Sequence, residues 1–173
     1  MFSLTGTTRK AFLAFFLSHI PITLIMDGQA ALPSSLYPMI FQDLAKFYST
    51  TFKDNLMTPP HPLFLQSFVT CEILFQLPFF VIASYVLLNS HKKDIAASGS
   101  GWFRTACLIY GTHTATTLVP ILSTIVFDES LNVTEKSVLF CFYLPYLIFP
   151  VWLVIIAAVS ENVFGDGNKS KSS

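Results

Sequence analysis

Four stretches of the chain stay apolar for about the length of a bilayer crossing, and polar segments separate them. They cover about residues 11–32, 63–88, 102–127 and 137–160. A hydrocarbon core about 30 Å thick needs roughly 20 mostly apolar helical residues, so each stretch predicts a transmembrane helix. The first follows Arg9 and Lys10, in the manner of a signal peptide. Three more spans follow it, and it carries His19, Pro21 and Asp27, so the chain reads as polytopic. Every span holds proline: Pro21, Pro78, Pro120, and Pro145 with Pro150. Each proline frees a carbonyl one turn earlier, which must find another partner in lipid. The spans are therefore expected to kink. Kinks are common in membrane helices, and four of them also splay a bundle enough to open a cavity.

Residues 33–62 are too polar to span and too long for a plain turn. Tyr37, Phe41, Leu44, Ala45, Tyr48 and Phe52 recur at helical spacing, with Gln42, Asp43, Lys46, Ser49 and Lys53 on the other face. That pattern predicts an amphipathic helix lying at the interface or capping the bundle. The expected fold is all-α: a polytopic membrane protein of four kinked transmembrane helices plus a lumenal amphipathic helix. Residues 1–10 form an N-terminus, 11–160 the membrane domain, and 161–173 a tail whose last part is small, polar and disordered by composition.

Composition narrows the class. The chain has 173 residues, of which 53% are hydrophobic and 12% charged. A soluble domain carries about 25% charged residues, so this surface is not built for water. Ten basic residues balance ten acidic ones, which leaves no basic field for nucleic acid. Arg9, Lys10, Lys92, Lys93, Arg104, Lys169 and Lys171 fall on one side of the expected membrane, against Lys46, Lys53 and Lys136 on the other. The positive-inside rule then puts both termini in the cytosol. Cys71, Cys107 and Cys141 lie far apart in apolar runs, which favours buried free thiols. Lys169 and Lys171 make a KxKxx ending, the form of a cytosolic dilysine retrieval signal for the endoplasmic reticulum. The sequons at Asn132 and Asn168 are expected to stay bare: the first sits hard against the bilayer and the second in the cytosol.

Ionisable groups within spans are costly, so each marks a candidate site. Asp27 and Glu72 qualify, with Gln76 one turn after Glu72. His19, Thr23 and Asp27 step along one face of the first span. Tyr110, His113 and Thr117 do so in the third, and Tyr143 and Tyr146 in the fourth. Four polar stripes facing inward would line one aromatic cavity. Helix-to-helix hydrogen bonding is the other reading of the Thr and Tyr positions. The histidines have no metal-site spacing, and no nucleotide-binding or hydrolase motif occurs; no metal and no cofactor is expected.

Five segments carry a resemblance: Ser18–Asp27 (SHIPITLIMD), Phe52–Leu56 (FKDNL), Cys71–Phe80 (CEILFQLPFF), His113–Thr124 (HTATTLVPILST) and Tyr143–Pro150 (YLPYLIFP). In this order they resemble the EXPERA family, and within it the sigma-2 receptor family, related to the emopamil-binding sterol isomerase. The likeness runs over about residues 12–160. It implies a four-helix protein of the endoplasmic reticulum membrane with a buried pocket for sterols or oxysterols and cationic amphiphilic amines. It also implies an acidic pair, Asp27 as counter-ion with Asp54 hydrogen-bonded to it. Glu72 and Gln76 would lie deeper, and Thr117, Tyr143 and Tyr146 would line the site. His19 and Tyr110 join the candidate set from their polar stripes. Residues 89–101 and the tail lack the resemblance.

Three function classes remain open. A non-enzymatic sterol and amine binder in sterol homeostasis or trafficking is the leading one. A sterol double-bond isomerase needs an acid and a base beside a dry pocket, and the isomerase resemblance asks for His and Glu one turn apart. One turn after His19 stands Thr23. A scaffold would bind a sterol transporter or a second copy, through small residues such as Gly111, Ala115 and Ser123. Membrane lipid is a partner in every case.

Overall fold

The computed structural model describes residues 3–165. Among these no strand occurs, and the chain forms eight α-helices: α1 (Gly6–Ile25), α2 (Met39–Phe52), α3 (Leu63–Cys71), α4 (Leu77–Leu88), α5 (Lys93–Ser98), α6 (Trp102–Phe127), α7 (Val133–Tyr143) and α8 (Pro145–Val159). Lys169, Lys171 and Asn168 lie outside the described residues.

Four long elements result: α1 with the turn after it, α3 joined to α4, α6 alone, and α7 joined to α8. Three are long and apolar enough to cross a membrane: Gly6–Ala30, Leu63–Leu88 and Val133–Val159. The protein is thus an all-helical, polytopic membrane protein. α6 has 26 residues, or ~39 Å at 1.5 Å per residue. It is less apolar, because it carries Arg104, His113 and a series of threonines. α6 packs along α8 and α1 along α4, which keeps much of that polarity inside the bundle. Leu17, Leu24, Leu74, Phe75, Ile109 and Ile148 point outward, as lipid contact requires.

Element ends differ from the sequence expectation for local reasons. The first helix begins at Gly6 and gives way after Ile25 to a 3-10 turn at Asp27–Ala30. Gly28 lets Tyr37 lie against that turn: a Cβ there would come 2.3 Å from the Tyr37 hydroxyl oxygen. The fourth element begins earlier than expected, at Val133, because Asn132 and Glu135 form a reciprocal capping box, which satisfies orphan amides. The second element contains a π-helical turn, Glu72–Gln76, just before Pro78. Pro78 cannot donate to the Leu74 carbonyl, and a π turn is one way to absorb that gap.

α2 forms where amphipathicity predicts it, with its faces partly exchanged. Ser49 is buried, while Met39, Ile40, Leu44 and Phe47 are exposed. The inward positions are Phe41, Ala45, Tyr48 and Phe52. The outward apolar set suits an interfacial helix.

The first and last described segments meet at one end of the bundle, where the Leu4 amide donates to the Val163 carbonyl at 2.6 Å. There Arg104 donates to the Ala157 carbonyl at 2.6 Å, capping the end of α8. At the opposite end Lys53 pairs with Glu135 at 2.6 Å, and Asn55 donates to Asp128 at 2.7 Å. Gly111 is buried, and a Cβ on it would come within 2.8 Å of the Pro150 carbonyl and 2.6 Å of Val154. It serves the α6–α8 contact within the chain and is unavailable to a second copy. Of the three thiols, Cys107 is buried, Cys71 half-buried and Cys141 exposed; Cys141 departs from the buried expectation because it sits on the outer face of α7.

Candidate functional site

Two apolar cores fill the bundle. One, near Leu4 and Val163, contains Phe12, Phe16, Phe80, Phe103 and Leu153. The other, near the α2 end, contains Leu56, Leu65, Leu118, Ile125 and Leu139. Tyr146 packs against both. Between them lies a polar layer enclosing an inner chamber of about 80 Å³ and an outer one of about 220 Å³. Asp27, Met57, Tyr143 and Tyr146 line both. Such interhelical cavities are where bundles bind small molecules.

The inner chamber gathers His19, Asp27, Glu72, Gln76 and Thr117. Glu72 accepts a hydrogen bond from Thr23 at 2.5 Å, and His19 Nε2 lies 3.7 Å from the same oxygen. The Gln76 carbonyl accepts from Thr114 at 3.0 Å, and its amide approaches His113 at 3.4 Å. The π turn brings Glu72 and Gln76, four residues apart, onto one wall. Thr117 donates to the Thr114 carbonyl at 2.9 Å. Asp27 sits where α1 breaks into its 3-10 turn, and no hydrogen bond to its carboxylate is found among the described residues. His19 rests on Phe80 and meets Tyr146 edge-on, with ring centroids 4.5 Å apart in each case.

Two expected site residues stand elsewhere. Asp54 lines neither chamber and makes no hydrogen bond to Asp27 among the described residues. Its carboxylate accepts from Tyr143 at 2.8 Å, Tyr48 at 3.2 Å, the Leu56 amide at 3.0 Å and the Met57 amide at 3.3 Å. Asp54 therefore stands behind the outer chamber and holds two of its tyrosines. Burial raises its carboxyl above the ordinary range, and the four hydrogen bonds offset part of that rise. Tyr110 is the other. It is buried in the aromatic core, stacked on Phe79 at 4.3 Å, and borders a separate membrane-facing groove of about 410 Å³ with His113 and Gln76. Thr114 and Thr117 face the site, while Tyr110, one turn before Thr114 on the same face of α6, lies beyond the chamber in the aromatic core.

Sequence reasoning missed Met57 and Tyr48 as chamber walls. Tyr48 carried a signal, its place on the inward face of α2; Met57 carried none. It also left unseen that His19, Asp27 and Glu72 each offer a ligand atom within 4.8 Å of the others. They come from two elements, so linear spacing holds no metal motif.

An acidic, aromatic chamber midway along a bundle of apolar helices marks a polytopic membrane protein with an interhelical cavity. The chain belongs to the EXPERA (EXPanded EBP superfamily) family, whose model matches residues 40–157. It is 45% identical over 152 residues to Sigma intracellular receptor 2 of Homo sapiens, covering 82% of this chain and 81% of that protein. The Xenopus tropicalis protein of the same name is 41% identical over 152 residues, covering 83% and 84%. Efficient mitochondria targeting-associated protein 19 of Schizosaccharomyces pombe is 32% identical over 143 residues, covering 82% and 69%.

Proposed function

We propose that this chain binds sterols and lipophilic amines in its paired chambers and serves intracellular sterol homeostasis or trafficking in the endoplasmic reticulum. The observation that carries the amine half is Asp27, which borders both chambers with no donor on its carboxylate among the described residues. No Lys or Arg pairs with it or with Glu72 among the described residues. A buried carboxylate without a partner is costly, and a ligand ammonium supplies one. Tyr143 and Tyr146 offer ring faces to the same cation. The apolar remainder of the outer chamber suits a rigid hydrocarbon body. Asp54 acts through Tyr48 and Tyr143 and does not touch the ligand. Saturation binding of a tritiated lipophilic amine tests this: Asp27→Asn abolishes it and Asp54→Asn weakens it. Undiminished binding in Asp27→Asn removes the counter-ion role.

A second reading is favoured by one contact. Sterol double-bond isomerisation needs an acid–base pair, and His19 and Glu72 approach to 3.7 Å from two different elements. Incubation of the purified chain with a Δ8-sterol separates the readings: a Δ7 product makes it an enzyme, and unchanged sterol keeps it a binder. The dilysine ending at Lys169 and Lys171 supports retrieval to the endoplasmic reticulum with cytosolic termini. Replacing both with serine tests this by imaging, and unchanged reticular retention removes it. A sterol transporter partner and a homodimer remain part of the proposal; cross-linking in membranes tests both.

A further inference from the structure

We propose that the inner chamber is also a zinc-type metal site, with His19, Asp27 and Glu72 as its three protein ligands, and that the metal and an ammonium ligand exclude each other there. One imidazole with two carboxylates, and an open position for water, is a donor set that zinc accepts. Each of the three offers a ligand atom within 4.8 Å of the others. Zinc bonds of 2.0–2.2 Å put tetrahedral ligands about 3.4 Å apart, so the side chains close by about 1.5 Å to grip an ion.

A second observation points the same way. His19 is 5% exposed, and its Nδ1 is buried with no hydrogen-bond partner. Its Nε2 has the Glu72 oxygen at 3.7 Å, beyond hydrogen-bonding reach. Buried ring nitrogens normally find partners; neither nitrogen of this chamber-lining residue has one within hydrogen-bonding reach among the described residues. The imidazole plane is nonetheless fixed, between Phe80 and Tyr146. Thr23 holds the Glu72 carboxylate by donating to its Oε1 at 2.5 Å, as outer partners do for metal-binding carboxylates. Charge completes the case. Asp27 and Glu72 face no Lys or Arg among the described residues; an ammonium neutralises one carboxylate, and a divalent ion neutralises both. The chamber of about 80 Å³ has room for an ion and a few waters.

Only the competition rests on the amine reading of the chamber; metal uptake does not. The test uses the full chain in lipid nanodiscs, stripped by chelator and dialysed against radioactive Zn²⁺. The expected result is one zinc per chain, bound at least tenfold more weakly in both His19→Gln and Glu72→Gln. Melting without metal confirms that the variants fold. Should either fail to fold, the visible spectrum of Co²⁺ bound to the unmutated chain decides: bands of a low-coordinate nitrogen–oxygen site support the proposal, and an aquo-like spectrum overturns it. Substoichiometric uptake overturns it, as does uptake unchanged in both variants, which would assign the metal to His61 or His91. Zinc is also expected to displace a tritiated lipophilic amine competitively, and simultaneous binding of both overturns the exclusion. Zinc uptake without any amine binding sinks the amine reading alone, and amine binding without zinc uptake sinks this one alone.

Discussion

Removing the phenol oxygen of Tyr143 isolates the part Asp54 plays. In Tyr143→Phe the ring keeps its place on the chamber wall, and the Asp54 carboxylate loses its donor at 2.8 Å. Asp54 is fully buried, so water does not replace that donor. A hydrogen bond to a charged group is worth about 1.5–3 kcal/mol. Tyr48 and two backbone amides remain on the carboxylate, which favours the lower part of that range, about 1.5–2 kcal/mol. A chain of this size loses about 2–4 °C in Tm per kcal/mol, so the expected fall is about 3–8 °C. The sign with pH follows from the raised Asp54 carboxyl. A folded-state pKa above the unfolded one means proton uptake on folding. The stability this contributes is full below the unfolded value, about 4, and is lost as pH rises through the folded one. Removing the donor raises the folded value further, so the gap between the two proteins is small near pH about 4 and widens as pH rises through the folded value toward neutrality. The assay is thermal melting of the purified full chain, followed by tryptophan fluorescence across that range. Tyr48→Phe, with the longer bond at 3.2 Å, should lose less. Equal melting of Tyr143→Phe and the unmutated chain at every pH would refute the positioning role of Asp54. So would amine binding abolished in Asp54→Asn as fully as in Asp27→Asn, with stability unchanged.

Gly111→Val places side-chain atoms against the Pro150 backbone carbonyl, which cannot rotate away; α6 and α8 must part, lowering stability by about 1–3 kcal/mol or more in a melting experiment. Thr23→Val keeps the shape but leaves Glu72 without its donor, costing about 1–3 kcal/mol, whereas Thr23→Ser should melt within about a third of that loss. Asn132→Ala removes the capping box of α7 and should cost about 1 kcal/mol, with amine affinity unchanged because Asn132 lies outside both chambers.

Much of the fold was legible because lipid simplifies the code. Runs of Leu, Ile, Val and Phe marked the spans, and in lipid a helix or a closed barrel is the available solution. Asp27 and Glu72 stood out for the converse reason, as charges where charge is costly. What stayed illegible was set by depth along the helices and by contacts between distant segments. Tyr110 and Thr114 share one face of α6 a turn apart, and position along the helix axis decides which one meets the chamber. Asp54 reads as a second acid for the site, yet the turn after α2 satisfies it with its own amides and two phenols. His19 and Glu72 are 53 positions apart in the sequence by number, and only the packing of α1 on the π turn makes them neighbours. Met57 has no pattern at all around it, because a flexible apolar side chain fills whatever gap the wall leaves.

The central claim is that Asp27 makes the chamber a receptor for positive charge. Its most direct test is a paired affinity measurement of a lipophilic amine and its uncharged isostere, on the unmutated chain and on Asp27→Asn. A partly buried charge pair worth about 1.4–2.7 kcal/mol corresponds to about a tenfold to hundredfold preference. The unmutated chain should prefer the cation by that margin, and Asp27→Asn should bind the neutral isostere at least as well as the cation. An Asp27→Asn chain that keeps the full preference for the cation would contradict the account.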